Sequence, residues 1–182
     1  MIYRIDEADA QTFATQKHSG QFRRGGDPYI AHPERVAGHV RRVKGTSKNI
    51  SDIESAAWLH DTLEDTDTSY EELVKEYGEN IAKMVYELTS DKQQAKAQGK
   101  TKYLQQKLKG MSNYALVIKL ADRLDNVSDL MTTDNVEWAK KYAYQTLDII
   151  EYLTDVRELT STQNRLVQEI LSIVNEALAV LE

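Results

Sequence analysis

At 182 residues the chain is long enough to bury one sizeable core, and 41% hydrophobic against 29% charged residues excludes an intrinsically disordered composition. There is no cysteine, which excludes disulfides, a thiolate nucleophile and sulfur-based metal sites; any bound metal must use nitrogen and oxygen ligands. The net charge of −6 is unevenly spread, with eight Lys/Arg against two Asp/Glu over 17–48 and six against one over 91–109. Such stretches are solvated helix faces in many proteins; as cationic walls they suit a small phosphorylated metabolite better than a long nucleic acid. The opening MIYRIDEADA has neither the basic nor the apolar region of a secretion signal, and no apolar run approaches membrane-spanning length. A cytoplasmic location without membrane attachment is expected.

Two prolines and eight glycines leave room for long uninterrupted helices, and the apolar periodicity is helical throughout. A first helix is expected over 6–18, followed by a glycine-rich loop with turn chemistry at Gly25, Gly26, Asp27 and Pro28. Pro33 suits the start of a helix over 33–44, which stops near Gly45. Further helices are expected over 50–61, 69–77 and 79–89, with Thr68 and Glu71 spaced as a capping box. The polar stretch 90–102 reads as a mobile loop or weak helix, and helices follow over 99–109 and 112–131. Two long amphipathic helices, 134–159 and 162–181, close the chain. Their stripes (Trp138, Tyr142, Ile149, Leu153, Val156; Leu166, Ile170, Ile173, Val174, Leu178) read as core or as contacts of a homo-oligomer. The expectation is one all-α domain over 1–182, without repeats or a linker.

Three motifs carry chemistry. In AAWLHDTLEDT, residues 56–66, the apolar run Ala56, Ala57, Trp58 and Leu59 leads directly into His60, Asp61, Glu64 and Asp65. A helix continued through this stretch places all four within about 140° of arc at 100° per residue. An isolated His-Asp pair is also what a solvated helix end shows, but here it emerges at the edge of a core, where an unpaired carboxylate is costly and a cation is an economical partner. In VIKLADRLDN, residues 117–126, Asp122 follows another strongly apolar run, and Asp122, Asn126 and Asp129 share a helical face. Pairing of Asp122 with a neighbouring Arg or Lys is the competing reading. The third motif is HSGQFRRGGDPYIAHP, residues 18–33, with Arg23 and Arg24 in the loop and His32 before Pro33. His18 and His39 read as structural, with a supporting role at the site open to His18. His32, His60, Asp61 and Asp122 together supply two imidazoles and two carboxylates from three helices. That donor set suits Mn(II), Fe(II) or Zn(II) with positions left for water. Glu64 and Asp65, one turn further on, are placed to orient or deprotonate that water.

These three motifs, in this order and spacing, closely resemble the HD-domain hydrolase module of the RelA/SpoT-type alarmone enzymes, and among them the stand-alone small alarmone hydrolases of the metazoan SpoT-like type. The likeness runs over about 5–131; the helices over about 134–181 resemble the rest of that bundle in length and amphipathicity only. It implies an HD-domain bundle of about eight to ten helices holding one Mn(II) on His32, His60, Asp61 and Asp122. By the same likeness Glu64 and Asp65 manage the attacking water, Arg23 packs on a purine base, Arg24 lies at the phosphate or base edge, and Asn126 and Asp129 lie near the nucleoside. Asp125 departs from the His or Tyr common in relatives, and 91–112 aligns poorly.

The reading is a hydrolase-only enzyme, since the length leaves no room for a synthetase domain, that removes the 3′-pyrophosphate of ppGpp-like nucleotides, a stringent-response reaction. Lysines of 91–109, or Arg24, are placed to neutralise the pyrophosphate. Two other readings are open: the same site acting on (p)ppApp, NADPH or another nucleotide, and a non-catalytic nucleotide-binding module. The retention of both Glu64 and Asp65 argues against the module.

Overall fold

A computed structural model describes residues 7–181. The readings that fall on residues 1–6, including the first residue of the expected helix 6–18, lie outside the described residues, as does residue 182. The described residues are helical, with ten helices and a single isolated bridge, Phe22 to Pro28, in place of any strand. The all-α expectation is borne out. No helix among the described residues is long and apolar enough to cross a membrane.

The chain groups into two compact units, one of Met1–Ser90 with Ser112–Ala121 and one of Asp91–Met111 with Asp122–Glu182. The first unit is built around α3 (Ile50–Leu59), which packs on α1 (Glu7–Lys17), α2 (Ala31–Lys44) and α5 (Tyr70–Leu88). Every residue of α3 from Ile53 to Leu59 is buried. A helix buried along this whole stretch must be covered on all sides, and the small Ser55, Ala56 and Ala57 let its neighbours come close. Its buried Glu54 is matched by Arg41 of α2, with Nε donating to Oε1 at 2.8 Å and Nη2 to Oε2 at 3.3 Å. A bidentate guanidinium is what makes a carboxylate tolerable at that depth.

α5 joins the two helices expected over 69–77 and 79–89, and the break between them survives as a kink. Gly78 sits at φ 79, ψ 165, a conformation open essentially to glycine alone. The cap is one residue later than the sequence spacing suggests. Ser69 Oγ accepts from the Glu72 amide at 3.1 Å, because Thr68 is turned inward to bond Thr66 through its hydroxyl at 2.7 Å. Between α3 and α5 lies the single turn α4 (Thr62–Asp65).

In the second unit α9 (Val136–Val156) packs on α7 (Lys100–Gly110) and on α10 (Ser161–Leu181), while α6 (Lys92–Gln98) lies against α7. The weak-helix alternative for the polar stretch is the one found: Asp91 Oδ1 accepts from the amides of Gln93 and Gln94, both at 2.9 Å, and Gly99 at φ 86 ends the turn. The α9 stripe differs from expectation. Ala139, Ala143, Thr146, Ile149, Ile150 and Leu153 are buried, whereas Trp138 and Tyr142 are half-buried and stack on each other at 5.3 Å. Small residues (Ala139, Ala143, Thr146) fill the buried face in the first half of the helix, where the large aromatics flank it, and Ile149, Ile150 and Leu153 fill it in the second. Arg157 Nη1 then donates to the carbonyls of Leu108, Lys109 and Met111 at 3.2, 3.2 and 2.6 Å, satisfying the open end of α7.

Two substitutions test this account of α5 by urea unfolding. Ser69→Ala should lower stability by about 1 kcal/mol through loss of the cap. Gly78→Ala should lower it by about 1–3 kcal/mol, because no atom crowds the added Cβ and only the backbone conformation resists it. A neutral or stabilising Gly78→Ala would refute the kink.

Candidate metal centre

The glycine-rich loop folds as a small hairpin. Arg23 donates its amide to the Asp27 carbonyl at 2.9 Å, Gly26 returns its own to Arg23 at 3.0 Å, and Tyr29 closes on Gln21 at 2.9 Å. Gly26 takes the left-handed φ of 90 that this turn needs. The hairpin delivers the chain into α2, whose first residues are Ala31, His32 and Pro33. Pro33 stands at the third position rather than the first. It is still within the first turn, where amides have no helical acceptor and a missing N–H loses nothing. His32 is thereby buried at the start of α2.

The expected helix through 50–61 ends early. α3 stops at Leu59, and His60 and Asp61 form a turn before α4. The side chains cause the break. The His60 imidazole takes the Ala57 carbonyl through Nδ1 at 2.8 Å, and Thr62 Oγ1 donates to the Leu59 carbonyl at 2.8 Å, so carbonyls that would serve the helix ladder are occupied. The continuous arc expected for His60, Asp61, Glu64 and Asp65 is therefore interrupted between the first pair and the second. The turn has a chemical result. A carbonyl can only accept, so the hydrogen of neutral His60 is on Nδ1 and the Nε2 lone pair points away from the backbone. Nε2 faces Asp61 Oδ2 at 2.9 Å and His32 Nε2 at 3.2 Å, and Asp61 Oδ2 lies 3.6 Å from His32 Nε2.

Asp122 is carried by α8 (Asn113–Ser128). Asp122 follows directly on the buried run Ala115–Ala121 of that helix, broken only by Lys119. Its carboxylate and the imidazoles of His32 and His60, all three buried, offer ligand atoms within 4.8 Å of one another. The Asn126 amide donates to Asp122 Oδ1 at 2.6 Å, so this residue, expected near a nucleoside, orients the carboxylate instead of standing apart from it. α8 ends at Ser128; Asp129 lies in the turn beyond, accepting through its carbonyl from Thr132, and does not continue the helical face of Asp122 and Asn126. Asp125 is buried.

The donor set fits a divalent cation. An ion about 2.1 Å from each ligand atom holds neighbouring donors about 3.0 Å apart at right angles and about 3.4 Å apart at the tetrahedral angle. Of the separations among His60, His32 and Asp61, 3.2 Å lies in that range, and 2.9 and 3.6 Å fall just below and just above it. With both imidazoles neutral, a lone pair of His60 and a carboxylate oxygen would confront each other in a buried place. A cation converts that repulsion into coordination.

The predicted residues Glu64, Asp65, Arg23 and Arg24 belong to the first unit. Glu64 is half-buried and accepts from the Ser90 amide through Oε2 at 2.8 Å. Asp65 is exposed, and its carbonyl accepts from Gln21 Nε2 at 2.9 Å. Arg23 is half-buried and Arg24 exposed, both on the hairpin. Sequence reasoning passed over Tyr29, whose hydroxyl donates to Asp61 Oδ2 at 2.6 Å. Its place three residues before His32 was the available signal.

An HD-domain family model matches residues 10–155. The human guanosine-3′,5′-bis(diphosphate) 3′-pyrophosphohydrolase MESH1 is 34% identical over 167 residues, 90% of this chain and 89% of that protein. The chain belongs to the HD-domain family, in its MESH1-like branch. A guanosine-3′,5′-bis(diphosphate) 3′-pyrophosphohydrolase of Aquifex aeolicus is 37% identical over 166 residues; the match takes in 86% of this chain but 22% of that longer protein. Among solved structures, one described as a metazoan ortholog of SpoT that hydrolyzes ppGpp superimposes with a TM-score of 0.75 at 27% identity, covering 91% of this chain and 93% of that one. The family suggested by the three motifs is the family found, and the HD-domain fold matches.

A divalent ion that binds this HD-domain centre only when folded should stabilise the chain by about 2.7 kcal/mol at a hundredfold excess over Kd. That corresponds to a rise of roughly 5–10 °C in melting temperature for a chain of this size. Differential scanning fluorimetry with Mn(II) added to chelator-treated protein measures it, and His60→Ala should remove the rise. An equal rise in His60→Ala would move the ion elsewhere.

Proposed function

We propose that the chain is a metal-dependent phosphohydrolase that removes the 3′-pyrophosphate from guanosine-3′,5′-bis(diphosphate)-type nucleotides. The observation that carries this reading is the convergence of His32, His60 and Asp122 within 4.8 Å in a chain that matches human MESH1 over 89% of its length. The reading treats the chain as one HD-type domain. Mn(II) is the proposed ion, held by His32, His60, Asp61 and Asp122, because imidazole with carboxylate and no thiolate suits it. When bound, such an ion supplies Lewis acidity, polarising a phosphoryl oxygen and acidifying water.

The protein's own groups do the rest. Glu64, with one oxygen anchored on the Ser90 amide, aligns the attacking water through its other oxygen. Asp65, open to solvent, takes up the proton and returns it to bulk. The water oxygen attacks the phosphorus bonded to the ribose 3′ oxygen, that phosphorus–oxygen bond breaks, the pyrophosphate leaves carrying the water oxygen, and the ribose 3′ oxygen takes a proton from solvent to replace the one that Asp65 released. In this reading Arg23, carried by the hairpin, covers the purine face, with Arg24 beside it for phosphate. Asn126 and Asp129 complete the nucleoside side of this reading, Asn126 while holding Asp122.

The test is turnover of ppGpp, pppGpp, ppApp, NADPH and dNTPs by purified protein with Mn(II), read as pyrophosphate or phosphate release. Pyrophosphate should appear from the 3′-pyrophosphorylated guanosine nucleotides. Its absence from all of them, with release from NADPH or dNTPs, would overturn the substrate assignment; nucleotide binding without turnover under any metal would make the chain a binding module. Glu64→Gln and Asp65→Asn should each lower kcat by roughly 10²–10⁴-fold while the metal-induced thermal shift persists. Arg23→Ala should raise KM more than it lowers kcat, and a loss confined to kcat would move Arg23 from base stacking to the chemistry.

A further inference from the structure

We propose that Tyr29 is a positioning residue of the metal centre: its hydroxyl holds Asp61 Oδ2 in ligating orientation, and the hairpin that carries it braces the 61–65 segment at both ends. This inference rests on the proposed metal site and extends it to a residue outside the donor set. Asp61 lies in the turn between α3 and α4, where no regular helix packing dictates its side chain. The Tyr29 hydroxyl reaches it at 2.6 Å, a short charge-assisted bond, and it reaches Oδ2, the same oxygen that stands 2.9 Å from His60 Nε2 and 3.6 Å from His32 Nε2. One lone pair of that oxygen is thus committed to the phenol, which fixes the direction of the rest toward the imidazoles.

The phenol is itself held. Its ring stacks on His18 with centroids 4.7 Å apart and meets His32 edge-on at 5.9 Å. Its amide and carbonyl are tied to Gln21 and His32, each at 2.9 Å. His18 is buried, and its Nδ1 lies 2.8 Å from Gln21 Oε1. Gln21 in turn donates through Nε2 to the Asp65 carbonyl at 2.9 Å. The hairpin therefore touches the segment at Asp61 through Tyr29 and at Asp65 through Gln21. A phenol stacked on His18, set edge-on to His32 and hydrogen-bonded to a proposed ligating carboxylate is the arrangement by which an outer residue fixes ligand geometry.

The test is calorimetric titration of Mn(II) into chelator-treated wild type, Tyr29→Phe, Asp61→Asn and the double variant. Tyr29→Phe keeps the ring and its stacking and removes the hydroxyl alone. It should raise the Mn(II) Kd by about 10–100-fold and regain turnover when Mn(II) is raised above the new Kd. In the Asp61→Asn background the same change should weaken binding by much less, since the two act as one unit. A Kd within twofold of wild type, or a lower metal-free melting temperature with an unchanged Kd, would reduce Tyr29 to packing and overturn the inference. So would an undiminished effect in the Asp61→Asn background. Failure of the wild type itself to bind Mn(II) would instead remove the metal site, and this inference with it.

Discussion

The lone pair of His60 Nε2 is the constraint on which the rest of the first unit turns. Its direction follows from one hydrogen bond, Nδ1 to the carbonyl of Ala57 in the last turn of α3, made by a buried imidazole. Once Nδ1 is committed, Nε2 must face something positive, and the groups the fold brings before it are another imidazole and a carboxylate. Such a set at the end of an apolar helix is suited to a cation. The same bond ends α3, opens the turn at His60 and Asp61, and lets α4 begin with Glu64 and Asp65 on a separate short turn.

The burial of α3 serves that geometry. A helix covered by α1, α2 and α5 has little freedom to shift along or about its axis, because every displacement would open a void or force an overlap. The turn that follows it is therefore presented at a fixed position. α2 is tied to α3 by the Arg41–Glu54 pair at the far end from His32, and by the meeting of His32 with His60 at the near end. The ion pair is better understood as setting the register of α2 on α3 than as a source of stability, since a buried carboxylate offsets most of what its partner returns.

Much of this was legible from residue order. Helical periodicity placed nearly every element, and the kink at Gly78 falls where the two expected helices met. His60 and Asp122 stood out because polar donors followed apolar runs, and His32 because it sits beside the glycine-rich loop that holds Arg23 and Arg24; the three meet in the structure as a buried set. What periodicity could not show is where side chains outcompete the backbone. The 100° rule carried a helix through His60 because it takes no account of an imidazole or a threonine hydroxyl capturing a carbonyl. The cap on α5 slipped by one residue for a related reason: Thr68 and Ser69 are equivalent as caps until the burial of Thr68 decides between them. Tyr29 stayed hidden because a tyrosine in an apolar context reads as core, and its hydroxyl acquires meaning only when Asp61, 32 positions later, is brought against it.

In the proposed reaction the difference in burial between Glu64 and Asp65 divides their labour. A carboxylate that aligns a nucleophile must not itself wander, and Glu64 has one oxygen fixed on the Ser90 amide, at the far end of α5. A carboxylate that disposes of a proton must reach solvent, and Asp65 does. The two are adjacent in sequence yet anchored differently, Glu64 by its side chain to the residues after α5 and Asp65 by its backbone to the hairpin through Gln21. The single turn α4 thus links three anchors, Tyr29 at Asp61, Ser90 at Glu64 and Gln21 at Asp65, within five residues. A four-residue helix has too few internal bonds to hold its shape alone. Its rigidity is borrowed from the hairpin and α5, so the precision of the chemical groups depends on contacts outside the motif that contains them.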